Sequence, residues 1–186
     1  MTARDSEVLP TVTAAPGMTM NEVIAASTAA LDSAEVGGRL IAQPEGPHRV
    51  RIRDPRRGFE LPASLFSVLE VSGPIVVRIL TSPHPKALDW GAALDRVNGI
   101  GATLEAAGWT AHERLAPQDL AKRLQIADED RVGVWRNLSW TSELRIRRAV
   151  RGGTRLAEVL EFPADTFLVT LTLWDERLAG FPEGKS

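Results

Sequence analysis

Between Pro85 and Gly108 the chain carries one sustained helical stripe. Trp90, Leu94, Val97, Gly101, Leu104 and Gly108 recur at steps of four, three, four, three and four, which puts them on one face of an α-helix. Ala93, Ile100 and Ala107 widen that face, Asp95, Arg96 and Glu105 lie away from it, and Gly108 stands where a left-handed cap ends a helix. On either side of the stripe the apolar runs are short, β-branched or alternating. A doubly wound parallel sheet needs a helix after each strand; the order strands, long helix, short helix, strands instead predicts an α+β fold. Its sheet is mainly antiparallel, with one long and one or two short helices packed on one face. Gly101, inside the apolar face, predicts a close approach to that sheet, at a cost of about 1 kcal/mol to the isolated helix.

Around this centre the punctuation is readable. Residues 1–19 mix Thr, Ala, Pro and charge without a period and are expected to be flexible; 20–180 form a single domain, and 181–186 a loose tail. Asn21 to Leu31 has helical spacing with Asn21 at the N-cap, ended by Gly37-Gly38. Val50 and Ile52 alternate with Arg49, Arg51 and Arg53, the pattern of a half-solvated strand, followed by a turn at Asp54 to Gly58. Leu65 to Val71 and Ile75 to Leu80 flank Ser72-Gly73-Pro74 as a hairpin. Pro117 suits the first position of a short helix reaching about Gln125. Strands are expected over 132–138, 143–150, 156–162 and 166–174, with Gly152-Gly153 as a tight turn.

Chemistry-bearing motifs are missing from the sequence. There is no cysteine, which removes disulfides, thiolate nucleophiles and Cys-ligated metals. His48, His84 and His112 have no zinc spacing, and His84, between two prolines, reads as a loop residue without a partner for general-base work. No phosphate loop, dinucleotide fingerprint or nucleophile elbow occurs; Gly99-Ile100-Gly101 sits inside the helical stripe. Asp128, Glu129 and Asp130 lack the alternation of a calcium loop. The expectation is therefore no catalytic residue, no metal and no cofactor. With no bilayer-length apolar run and no signal-peptide pattern at the start, a soluble, cytoplasmic chain without membrane insertion is expected.

Two features remain. Six arginines face two acids between Arg39 and Arg57, and five face one between Glu143 and Arg155. Arg49, Arg51 and Arg53 share one strand face; Arg145 and Arg147 share another. Five tryptophans occur without any tyrosine, and Trp135, Trp140 and Trp174 on or beside the late strands would be anchors if exposed. The five arginines with Trp135 and Trp140 are the candidate contacts of a non-enzymatic protein-binding domain, of adaptor, chaperone or immunity/inhibitor type, using a sheet face or edge. The alternative is nucleic-acid binding by the arginine-bearing strands, against which the net charge of −2 counts. A third reading is an enzyme whose residues meet only in three dimensions. The arginine and alanine bias with few lysines also matches a bacterial-like, GC-rich composition.

Overall fold

The computed structural model describes residues 8–36, 39–124, 127–148 and 166–178. In chain order the elements are β1 (Thr11–Ala14), α1 (Met20–Ala26), β2 (Leu31–Val36), β3 (Arg39–Pro44), β4 (Arg49–Ile52), β5 (Phe59–Glu60), β6 (Phe66–Ser72), β7 (Ile75–Ser82), α2 (Trp90–Ala106), β8 (Thr110–Arg114), α3 (Pro117–Arg123), β9 (Glu129–Asn137), β10 (Trp140–Arg148) and β11 (Phe167–Asp175). The fold is α+β. An 8-stranded antiparallel sheet runs β2-β3-β6-β7-β11-β10-β9-β8, and a 3-stranded mixed sheet runs β1-β4-β5, with β1 and β4 parallel.

Strand parity sorts the large sheet into two faces. On one face Ser142, Leu144 and Ile146 of β10 lie opposite Leu173, Leu171 and Val169 of β11, and Ile79 of β7 lies opposite Leu173. This face receives α2 and the small sheet. The buried cluster there joins Leu69, Ile79, Leu144, Ile146 and Leu171 to Ala93, Val97, Ile100 and Leu104 of α2, and to Val12, Val50, Ile52 and Phe59 of the small sheet.

The long helix begins at Trp90, later than the first possible residue, because Asp89 caps it: its Oδ1 accepts the Ala92 N–H at 2.8 Å. Gly108 adopts φ +81°, as its place after the stripe requires. Gly101 meets the indole of Trp135, with 3.1 Å from the position a Cβ would take to the ring. The β6–β7 hairpin forms around Gly73, at φ +57°, and Pro117 opens α3 at its first turn.

Two expectations at the N-terminal end are corrected. Residues 11–14 are an ordered strand within the segment read as flexible; Val12 and Ala14 are fully buried, and β1 pairs residue for residue with β4. The first helix is capped by Thr19, not Asn21. Thr19 Oγ1 accepts the Glu22 N–H at 3.2 Å, and Glu22 Oε2 accepts the Thr19 N–H at 2.8 Å, a reciprocal capping box. That helix stops at Ala26 because the next hydroxyls turn to β1: Ser27 Oγ accepts from Thr13 N–H and Thr28 Oγ1 from Thr11 N–H. Leu31 therefore opens β2. Gly37-Gly38, Gln125, Gly152-Gly153 and the strand expected over 156–162 lie outside the described residues.

Candidate protein-interaction surface

The arginine-bearing strands are internally compensated. On β4, Arg49 and Arg51 point outward while Val50 and Ile52 enter the core, and both guanidiniums reach Glu60 of β5, at 3.4 and 3.1 Å. Arg53 is exposed, and its N–H donates to the Ala14 carbonyl. On β10, Arg145 is held closely by Glu143 and lies 3.3 Å from Glu129. Partial burial works against its charge, yet the Glu143 and Glu129 carboxylates keep its pKa above the usual arginine value. Arg131 is bound to Glu113 at 2.7 Å and lies 3.7 Å from Glu143. Arg147 shares the Arg145 face, opposite Glu129 and Leu168. Arg53 lies near enough to Glu22 for its charge to help hold that carboxyl down, after the Thr19 hydrogen bonds, and Arg147 makes no ion pair among the described residues. The stripes that suggested phosphate contact are thus largely neutralised across the strands.

Trp135 and Trp140 are not surface anchors. Trp135 is 1% exposed, its ring seated in a notch made by Gly101 and Gly133. Trp140 is 3% exposed; its Nε1–H donates to Asp175 Oδ2 at 3.0 Å, and the Arg57 guanidinium lies 3.9 Å from its ring centroid. Trp109 stands 6.4 Å from Trp140 and 6.0 Å edge-on from Phe59, donating to the Arg57 carbonyl. The Arg177 guanidinium bound to Asp175 pulls that carboxyl down to about 2, with the Arg177 and Ser139 hydrogen bonds acting in the same sense against burial. These contacts close the core and offer a partner nothing.

The two buried histidines are also structural. His84 donates from Nδ1 to the Lys86 carbonyl at 2.6 Å and accepts the Val169 N–H on Nε2 at 2.9 Å, while Ser82 Oγ donates to the Val169 carbonyl at 2.9 Å. It therefore continues the β7–β11 ladder past its last backbone pair. His48 donates from Nδ1 to the Gly46 carbonyl and accepts the Ser67 hydroxyl at 2.7 Å, in a buried chain through Thr81 to Ser64. Burial pushes both imidazoles below their ordinary value of 6.5, which favours the neutral form of each. An apolar cleft of about 250 Å³ between Leu94, Val97, Leu115 and Leu120, and a shallow groove along Arg51, Arg53 and Glu60, both lie away from these imidazoles. No cluster of metal-ligating side chains occurs among the described residues, and no helix there is long and apolar enough to cross a membrane.

The opposite face of the large sheet carries no helix among the described residues. Register places Ile41, Glu70, Arg78, Trp174, Thr141 and Arg136 in one row across β3, β6, β7, β11, β10 and β9, and Val68, Leu80, Thr172, Glu143 and Val134 in the next. Ile41, Phe66, Val68, Leu80 and Trp174 are partly exposed, and Val77, Val134 and Leu168 are buried, yet none belongs to the helix-side core. The chain matches no family model, no curated protein and no solved structure. The face is therefore read from its own geometry. Ion pairs frame its apolar middle: Arg78 with Glu70 at 3.3 Å on one side, Arg145 with Glu129 and Glu143 on the other. Of the late-strand tryptophans Trp174 alone is partly exposed on this face, and Phe66 and Leu80 are residues there that sequence reasoning did not select. The available signal was the alternation Val169, Leu171, Leu173 against Thr170, Thr172, Trp174, which separates a core row from an outer row.

Proposed function

We propose that this chain is a non-catalytic protein-binding domain, an adaptor, chaperone or inhibitor in kind, that meets its partner with the helix-free face of the eight-stranded sheet. The observation that carries this reading is a second set of apolar side chains, Ile41, Phe66, Val68, Leu80 and Trp174, lying outside the core on a face without helices among the described residues. Such a layer with an aromatic residue at its middle and compensated charges around it has the anatomy of an interface, in which an apolar centre supplies affinity and a polar rim excludes wrong partners. The same compensation of Arg49, Arg51 and Arg145 by Glu60, Glu143 and Glu129 weighs against phosphate recognition, which needs uncompensated positive charge.

The test is recovery of a partner from lysate of the source organism, with nuclease-treated and untreated samples at low and moderate salt. A protein retained in fixed ratio through nuclease and salt, and lost with Trp174→Ala or Val68→Arg while circular dichroism is unchanged, supports the reading. Retention indifferent to both substitutions, or recovery that vanishes with nuclease, overturns it.

A further inference from the structure

The described sheets end in four edge strands, and three of them are blunted. The outer side of β1 is occupied by Ser27 Oγ and Thr28 Oγ1, which accept from Thr13 and Thr11, and by the Thr28 and Ala29 N–H groups, which donate to the Thr11 carbonyl. β5 is only 2 residues long. β8 is broken by a bulge between Ala111 and Glu113. These are the ordinary devices by which a protein prevents a sheet from adding strands.

β2 has none of them. It pairs with β3 over six consecutive positions, Leu31↔Pro44 to Val36↔Arg39, without a register shift. Its Leu-Asp-Ser-Ala-Glu-Val sequence contains no proline, glycine, lysine or arginine. Asp32, Ser33, Ala34 and Glu35 are exposed, while Leu31 is packed against the core and fixes the strand. Asp32 and Glu35 make no ion pair among the described residues. An odd spacing puts their carboxylates on opposite sides of the sheet.

We propose that β2 is a strand-addition site whose occupant is an extended segment of another protein bearing basic side chains three residues apart. The outward backbone N–H and C=O groups of β2 supply the ladder, and the two carboxylates supply the selection. In either strand direction the residues facing Asp32 and Glu35 are three apart, and at the short Cβ separation of cross-strand pairs opposite charges attract. A second copy of β2 is a poor occupant, because it would add two more acids and no base. This inference does not rest on the helix-free face as a binding surface.

The probe is a panel of labelled eight-residue peptides of alternating valine and threonine with arginine at two positions three apart, titrated into the full chain by anisotropy, with amide hydrogen exchange on the complex. Binding should weaken with salt, slow exchange in 31–36 but not in β8, and fall at least tenfold with Asp32→Lys plus Glu35→Lys. Of Ser33→Pro and Ala34→Pro, the one that keeps the wild-type unfolding midpoint has lost an outward N–H, and it should lose the peptide. Trp174→Ala should bind the peptide normally, which separates this site from the helix-free face. No binding by any peptide to the folded chain, protection elsewhere than 31–36, indifference to the charge reversal, or a dimer formed through β2 by the protein alone would overturn the proposal.

Discussion

Trp135 shows how tightly single residues are tuned to one another. Its ring is flanked by Gly101 on α2 and Gly133 on its own strand, and the two glycines differ in what a methyl group would meet. At Gly101 the nearest atom is the edge of the indole at 3.1 Å; at Gly133 it is the Glu113 backbone carbonyl at 2.8 Å with the indole equally close. An indole can move by a few tenths of an ångström, whereas a paired strand cannot. Gly101→Ala should therefore change stability little, its strain being offset by about 1 kcal/mol of helix propensity. Gly133→Ala should destabilise by about 2 kcal/mol or more. Urea titrations of the two variants check this, and equal losses would refute it. Gly101 as a point of close approach was legible from its place in the apolar stripe; Gly133 was not, because nothing in a strand pattern reveals which neighbour's ring it faces.

At the level of elements, the turn between β9 and β10 is the least comfortable. It brings Asn137 opposite Trp140, leaving Leu138 and Ser139 to reverse the chain, and Leu138 takes φ +56° with its side chain 77% exposed. A leucine in that region is strained and gains nothing from burial, so Leu138→Gly should stabilise by up to about 1 kcal/mol, after the larger chain entropy of unfolded glycine is counted. A thermal midpoint that drops in Leu138→Gly would show that the side chain has a contact of its own. A break between strands at 132–138 and 143–150 was legible, but not a turn as tight as Leu138-Ser139, since leucine is no reversal signal and β10 starts three residues earlier than its pattern suggests. The helix at Trp90–Ala106 and the β6–β7 hairpin were legible because each repeats one period over many residues. β1 and β2 were not: four and six residues with mixed patterning carry too little periodicity, and the helical spacing of 21–31 ran across the Ser27 and Thr28 hydroxyls that in fact end α1. For the candidate surface, the arginine rows were placed correctly on outward strand faces, but their cross-strand carboxylates depend on pairing that sequence does not state.

Across the whole molecule the large sheet has a plan the linear order conceals. Among the described residues a helix and four strands, α1-β2-β3-β6-β7, are followed by a second helix and four strands, α2-β8-β9-β10-β11, and the last strand of each set meets the other antiparallel in the middle. The small sheet and α3 are insertions into that scheme. The seam between the halves has 4 backbone pairs, Leu171↔Thr81 to Trp174↔Arg78, and is prolonged by His84. Acid should act there. Burial in the fold favours the neutral form of His84 and His48, with pKa values below 6.5, so the unfolded chain binds more protons as pH falls. Their contribution is complete above about pH 6.5 and is lost progressively below it. Asp175, lowered from 3.8 to about 2, adds stability that is present above pH 3.8 and disappears only as pH approaches 2. Urea midpoints should hold steady from about pH 8 to 7 and decline from about 6.5 to 5; a flat profile through that lower window would sink the assignment.

The distribution of indoles also gives the molecule its own optical read-out. Without tyrosine, ultraviolet emission comes from tryptophan alone. Trp109, Trp135 and Trp140 are sealed in the core and Trp90 leans on Phe167 on the helix side, while Trp174 stands on the face that carries no helix. Docking on that face would blue-shift and shield one emitter and leave the other four unchanged, whereas strand addition at β2 would be spectrally silent.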